Sequence, residues 1–424
     1  MKKLMILAGL VSFIFIFSSP ALAIKLELNP SSLKQAAVLR TRAYENLGEW
    51  KEAAKEWKTL VIKYPADENL RFEYGSFLDR KGDWIKALKV FDQILRNPRR
   101  RDIAEKTYEI RKSIRQRRSN VIGMEAKRTE LGTGKNFGGR TWAWYSGDPK
   151  WMVGIVGGSI RAEDPSVLLQ SDFDDRVDEY GLDAYFYPTT DWEFRTYGRL
   201  YSGSLTERRG WGGSAKYRRQ KGGSAKFELD INKSWTQPVS AIINQGLYDR
   251  AAVTLNLPTG NPWSVSVQGQ IRDFEIFRNL PFGRERKGSI NIGRRILETP
   301  YGSNYLIRFA TLTAGYERLV AKQNRALAQF ASIQDAASTF TTGFLLHFPI
   351  GHSGSLEVTG FVGHDDTRGL KIQNGDLMGT SIELDYDITP WVTMHADGQY
   401  ATESSALEQG GRFRQVRSYL TLYY

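Results

Sequence analysis

Tyr419-Leu420-Thr421-Leu422-Tyr423-Tyr424, preceded by Arg417-Ser418, reads as an alternating strand whose final residue is aromatic. Successive residues of a strand point to opposite faces. Leu420, Leu422 and Tyr424 therefore share one face, and Arg417, Tyr419, Thr421 and Tyr423 the other. A strand that is greasy on one side, polar on the other and aromatic at its end fits a barrel wall with lipid outside and water inside.

The same period of two runs through residues 119–424. Leu182, Ala184 and Phe186 alternate with Asp183, Tyr185 and Tyr187. After a tight turn, Trp192, Phe194 and Leu200 alternate with Glu193, Arg195 and Arg199. Similar pairs flank the turns 258–262, 349–351 and 389–390. Segments of about ten residues suit tilted membrane crossings, and they predict about sixteen antiparallel strands. Tight Pro/Gly turns alternate with longer connections near 163–175, 202–210, 277–287, 317–337 and 403–411. The Ala- and Gln-rich 317–337 stretch is expected to form a small helix at or inside the mouth. Trp192, Trp263, Phe348 and Trp391 lie beside the tight turns, where an interfacial aromatic girdle belongs. A soluble propeller or sandwich would instead hide its apolar faces between sheets. Arg294 is the discordant residue: it shares the outward parity of Ile290, Ile292 and Ile296. A cation at the bilayer midplane costs about 2–4 kcal/mol, which predicts a bulge or a shifted register there.

The amino-terminal residues set the expected compartment. Lys2-Lys3, an apolar stretch from Leu4 to Phe17 and Ala21-Leu22-Ala23 have the form of a signal peptide over residues 1–23, with the mature chain starting near Ile24. The apolar core falls short of the roughly 20 residues of a spanning helix. The chain of 424 residues has no cysteine, which excludes lipoprotein attachment, disulfides, thiolate metal sites and covalent haem of the CxxCH type. These features place the chain in a Gram-negative outer membrane. The net charge of +12 is concentrated in residues 1–120, which hold 25 Lys/Arg against 14 Asp/Glu. For an exported chain this argues against nucleic acid as a partner.

Two segments match at a spacing of 34 residues. Gly48 pairs with Gly82, Trp50 with Trp84, Ala53 with Ala87 and Trp57 with Phe91, and the segments close at Pro65 and Pro98. Gly makes the tight turn, the small Ala lets two helices approach, the aromatics fill the gap and Pro ends the second helix. A further helix near Asp102 to Arg117 carries Ile103, Ile110 and Ile114 on one face. Arg99-Arg100-Arg101, Arg115, Arg117 and Arg118 read either as solvated surface or as a collar for a membrane or an anionic partner.

With the apolar parity outward, the lumen list is polar. Arg195, Arg199, Lys216, Arg218, Arg250, Arg272, Arg295 and Arg308 come from the earlier strands. Glu357, Asp365, Glu383, Asp385, Asp387 and Asp397 come from the later ones, predicting a transverse field. Tyr185, Tyr187, Tyr197, Tyr201 and Phe361 interleave with the charges, and rings beside hydrogen-bonding charges suit sliding contact with sugars. The alternative is a polar lining braced by ion pairs. The four histidines, His347, His352, His364 and His395, are scattered. His364-Asp365-Asp366 reads as solvated loop rather than metal site, and no GxSxG, HExxH or phosphate loop occurs. No catalytic residue, metal or cofactor is expected.

The paired Gly-(Asp/Glu)-Trp-x-x-Ala segments resemble the tetratricopeptide repeat. Repeats fused to such a barrel resemble the outer-membrane exopolysaccharide export porins of poly-N-acetylglucosamine, cellulose and Pel secretion, over essentially the whole mature chain. The repeat array here is shorter than usual for that group. The resemblance implies an α + β membrane protein, with a short α-helical tetratricopeptide-repeat domain over 24–118 in the periplasm and an antiparallel transmembrane β-barrel of about 16 strands over 119–424. It implies a monomeric channel for a polysaccharide chain, whose repeats dock a periplasmic polymer-modifying enzyme or scaffold protein. The alternatives are a small-solute diffusion porin with a scaffold domain and a barrel-anchored surface receptor or adhesin.

Overall fold

A computed structural model describes residues 30–131, 134–163, 176–203, 207–219, 223–235, 241–242, 246–277, 280–303, 305–327, 330, 336–351, 353–368, 375–402 and 413–424. The expected signal peptide lies outside them. The chain divides into two compact units, Met1–Leu70 and Arg71–Tyr424. Residue 118 marks the change from helix to strand, but the unit containing the barrel begins earlier and takes in further helices.

Five helices come first: α1 (Pro30–Leu47), α2 (Trp50–Lys63), α3 (Glu68–Arg80), α4 (Trp84–Arg96) and α5 (Arg101–Arg117). Gly48 and Gly82 adopt φ of +77° and +91°, the left-handed cap that favours glycine. Both turns use the same bonds: Gly48 N–H donates to Glu45 O and Glu49 N–H to Tyr44 O, while Gly82 N–H donates to Asp79 O and Asp83 N–H to Leu78 O. Trp50 and Trp84 then open the following helices. In the first unit Ala53 and Trp57 are fully buried, and Trp57 Nε1 donates to Glu45 at 2.6 Å. In the second, Ala87 and Phe91 are fully buried, and the Phe91 ring lies so close to Gly75 that no Cβ would fit there. Pro65 and Pro98 stand just past α2 and α4.

Sixteen strands follow, each antiparallel to its sequence neighbour, and β1 pairs with β16 to close the barrel. They are β1 (Val121–Leu131), β2 (Gly134–Asp148), β3 (Trp151–Glu163), β4 (Arg176–Phe186), β5 (Trp192–Ser202), β6 (Arg208–Arg218), β7 (Ser224–Ser234) and β8 (Leu247–Leu257). The circuit continues through β9 (Trp263–Ile276), β10 (Leu280–Glu298), β11 (Phe309–Gln323), β12 (Ala336–Ile350), β13 (Gly354–Arg368), β14 (Gly375–Thr389), β15 (Val392–Thr402) and β16 (Phe413–Tyr423). The terminal strand lies in register with β1, Leu420 opposite Met124 and Leu422 opposite Ile122. Outward apolar residues such as Met124, Ile155, Leu182, Trp211, Val253, Leu312, Phe340 and Ile382 are exposed around the whole circuit. A closed sheet with an uncovered apolar face needs lipid, because a soluble protein rarely exposes large contiguous apolar patches.

Three connections are shorter or placed differently from the sequence expectation. β10 begins at Leu280 and β11 runs to Gln323, so most of 277–287 and the start of 317–337 are strand. These strands rise past the apolar band, where charge replaces greasy parity and the alternation fades. Of the expected helix in 317–337, a single 3-10 turn at Arg325–Leu327 is present among the described residues. The connection 235–246 between β7 and β8 has no counterpart among the long loops expected from sequence. Arg294 does face outward, but no register shift turns it away; the bulge falls later, between Arg295 and Leu297. It sits opposite Trp263 beside the 258–262 turn, its guanidinium 5.2 Å from the indole centroid. That is the membrane boundary rather than the midplane, where a cation over a Trp is tolerated.

Candidate functional site

The early wall of the lumen is self-neutralised. Arg199 is buried, with Asp183 at 2.6 Å and Glu179 at 2.7 Å. Arg195 pairs with the same Asp183 at 3.0 Å and lies over the rings of Tyr185 and Tyr197. Arg250 meets Asp230 at 2.7 Å and Glu228 at 3.3 Å, Arg218 meets Glu193 at 2.9 Å, and Arg272 lies 3.7 Å from Glu285. Lys216 faces the lumen opposite Glu193 and Lys226 in the register. The expected transverse field is therefore corrected: the carboxylates that cancel these arginines sit on the same wall. Reading blocks of sign along the sequence missed them, because the partners are cross-strand neighbours 12 to 25 residues away. Tyr197 donates to Asp230, and Tyr201 is buried beside them. Tyr197, Tyr201, Arg195, Arg199, Asp230 and Tyr248 line a recess of about 370 Å³, at the small end of the range for ligand pockets.

Arg295 and Arg308 do not join this wall. Arg295 is near Glu298 at 3.1 Å at the turn end of β10, and Arg308 stacks on Tyr301 at 3.6 Å.

The late wall is acidic in rows. In the register, Glu357 lies opposite Glu383 and Glu383 opposite Asp397; one row away stand Asp385 and His395. Asp397 pairs with Arg417 at 2.5 Å, Asp365 accepts from Thr339 at 2.9 Å, and Glu357 lies 3.1 Å from His347. Asp365 faces inward and is buried, while His364 faces outward beside Asp376, so the two cannot share an ion. Among the described residues no group of three His, Asp or Glu is placed to hold a metal.

Asp385 and Asp387 are neutralised from outside the wall, by α5. Lys112 pairs with Asp385 and bonds Ser355 Oγ at 3.0 Å. Arg111, 4 % exposed, bridges Asp387 at 2.7 Å and Asp92 of α4 at 2.6 Å, and also donates to Pro390 O. Arg115 donates to Pro390 O at 2.7 Å and stacks on Tyr423 at 4.5 Å; Arg118 stacks on Tyr187 at 4.3 Å. Tyr187 in turn stacks on Tyr185, which meets Trp144 edge-on at 5.4 Å. Glu105 accepts from Gly302 N–H at 2.7 Å, in the turn between β10 and β11. One end of α5 thus touches the β10–β11 turn, and the residue just past its other end touches the β4–β5 turn. A 17-residue helix is about 25 Å long, so α5 crosses the mouth before running directly into β1. Arg115 and Arg118 are buried here, which corrects the solvated-surface reading: the anionic partner of this helix is the barrel rim itself. Arg99, Arg100 and Arg101 remain exposed at its start.

Burial shifts the groups on α5. It pulls the Arg115 guanidinium down to about 10, aided by Arg111, which leaves it charged at neutral pH. It pushes the Tyr108 hydroxyl well up. For Glu109 burial acts upward, but the neighbouring His347, with Nε2 3.5 Å away, outweighs it and holds the carboxyl below its ordinary value.

The opposite end of the lumen carries an apolar cluster. Trp235, Ala241, Phe274, Ile276 and Phe282 are buried together, with Tyr248, Phe277, Leu327 and Phe330 packed against them. Phe330, from the β11–β12 connection, meets Phe277 edge-on at 4.9 Å.

No family model matches the chain, and no curated protein matches it. Among solved structures it is similar to a bacterial polysaccharide outer membrane secretin, with a TM-score of 0.56 and 9% identity, covering 72% of this chain and 99% of that one. Pseudomonas aeruginosa OccK3 gives a TM-score of 0.37 and 10% identity over 72% of this chain and 95% of that one. Acinetobacter baumannii OccAB4 gives 0.38 and 6% over 73% and 99%. The first likeness extends to the barrel fold: this chain is a closed sixteen-stranded antiparallel membrane barrel with helices before it.

Proposed function

We propose that this protein is an outer-membrane channel that guides a polysaccharide outward, held shut at its helical mouth by α5. The helical end and the tight-turn connections face the periplasm in this reading, and the longer loops face the exterior. The observation that carries it is the contrast at the mouth. A polar, tyrosine-lined lumen is present, yet Arg111 and Lys112 of α5 occupy the very carboxylates that an entering chain would meet. Tyr185, Tyr197 and Tyr201 with paired charges offer ring faces and hydrogen bonds without a net field, which suits a sliding, weakly bound polymer. The fold shared with a polysaccharide secretin supports the same reading. The helix pairs around Gly48 and Gly82 are the tetratricopeptide-like part, and they dock a polymer-modifying enzyme or scaffold protein whose binding draws α5 from the mouth.

Planar-bilayer conductance tests the channel: it is expected to be small for the whole chain and to rise when α5 is released. Cell-surface polysaccharide in a strain lacking the gene tests the cargo. Unchanged surface polymer, together with an open wild-type channel, would leave a small-solute porin as the function. Full surface polymer with a channel that never opens would leave an anchored receptor.

A further inference from the structure

At the loop end of β10 and β11, four cations face outward instead of into the lumen. Arg284, Arg286, Arg318 and Lys322 share the outward parity of Ile290, Ile292, Leu312 and Tyr316, and all four are exposed. The register sets Arg284 opposite Lys322, Arg286 opposite Val320 and Arg318 opposite Gly288, so they fill three successive outward rows. Like charges directly opposite each other destabilise a sheet. Two other outward arginines carry their own acids, Arg128 with Glu130 at 2.7 Å and Arg176 with Asp178 at 2.9 Å, and Arg294 lies over Trp263. Here Asp273 takes Arg284 at 3.0 Å. Among the described residues, Arg286, Arg318 and Lys322 have no ion pair, and the other outward acid on β9 is Glu275.

Their height is equally specific. Arg294 and Trp263 mark the membrane boundary at the other end. Arg286 lies eight residues away, about 27 Å along the strand and roughly 20 Å along a tilted barrel axis. That nearly spans the apolar band of about 25 Å, so the cations stand at the upper boundary. The row beneath Arg318 pairs Tyr316 with Phe340, an interfacial aromatic pair. Beside Arg318 the outward glycines Gly269 and Gly288 face each other across β9 and β10, with nothing within 4 Å of where a Cβ would stand on either. They leave a notch in the wall, open to the lipid.

We propose that this patch binds a phosphorylated glycolipid of the outer leaflet. Arg286, Arg318 and Lys322 take its phosphates, in the charge-assisted geometry guanidinium favours, and the Gly269–Gly288 notch receives the first part of an acyl chain. The inference rests on the loop end facing the outer leaflet, and it is independent of what passes through the lumen.

The test titrates the full chain in detergent with bisphosphorylated lipid A, dephosphorylated lipid A and phosphatidylglycerol, read by native mass spectrometry. Bisphosphorylated lipid A is expected to bind at least about tenfold tighter than the dephosphorylated form. Combined substitution Arg286→Gln, Arg318→Gln and Lys322→Gln is expected to remove that preference, while Arg128→Gln with Arg176→Gln leaves it intact. Gly288→Leu, which fills the notch and keeps every charge, is expected to weaken binding about threefold, and Lys322→Gln alone serves if the triple variant does not fold. Equal binding of the two lipid A forms, unchanged affinity in a triple variant that keeps wild-type heat-modifiable migration, or tighter binding of phosphatidylglycerol would overturn the proposal. Bilayer conductance is expected to be the same in the triple variant and the wild type. A conductance failure therefore bears on the export reading and a lipid failure on this one.

Discussion

The two walls of the lumen solve the same charge problem differently. On β4 to β9 each paired arginine finds its carboxylate on a neighbouring strand, so the balance is built into the sheet. On β14 the acids Asp385 and Asp387 are balanced by Lys112 and Arg111, which belong to a helix. A sheet cannot surrender one strand without losing its ladder. A helix held by side chains across a mouth can leave. Charge compensation from a removable element is what turns a polar wall into a latch.

The comparison breaks most visibly at α5. Arg111→Ala with Lys112→Ala removes both helix cations, leaving Asp385 to His395 and Asp387 to the Thr393 hydroxyl, a change that costs about 3–5 kcal/mol where a buried pair is broken. The helix is expected to undock, single-channel conductance to rise severalfold and protease to reach residues 101–117; equal conductance and protection in variant and wild type would end the latch. Arg199→Ala on the other wall removes the buried cation between Asp183 and Glu179, leaving Asp183 to Arg195 and Glu179 to Arg140 at 3.6 Å. It is expected to lower barrel stability by about 3 kcal/mol, seen as a fall in the heat-modification temperature, with little change in conductance.

Acid should discriminate between the walls more gently. Glu109 is held below its ordinary value by His347, although burial opposes this. A carboxyl with a depressed value stabilises the docked state above the unperturbed carboxylate range and loses that contribution as pH falls through the depressed value. Conductance is thus expected to rise as pH drops below about 4.5 and to lose that rise in Glu109→Gln; a flat profile in both refutes the sign. The smallest effect is expected at Arg218→Gln. Its pair with Glu193 is partly exposed on both sides, and such pairs contribute about 0.2–1 kcal/mol. A shift in ion selectivity should be measurable there without loss of fold.

Much of this architecture was legible in order of range. The alternation of Leu420, Leu422 and their equivalents revealed the strands, because side-chain parity is a local property. Gly48 and Gly82 revealed the helix turns, because a left-handed cap favours glycine. The stretch 280–287 read as loop because its charges hide the alternation that lipid contact otherwise enforces. Asp183, Glu179 and Asp230 went unrecognised as partners of Arg199 and Arg250, since pairing depends on register across strands. Nothing near Arg111 in sequence points to Asp387, 276 positions away.

The amino-acid order by itself determined that about sixteen strands form, the face each turns to lipid and the two glycine-capped helix pairs, for each follows from neighbours within a few residues. Closure of β1 on β16, the acid that each arginine meets and the passage of α5 across the mouth were decided only by the tertiary structure. Those contacts join residues far apart in the chain, where charge and shape match only after the barrel has closed.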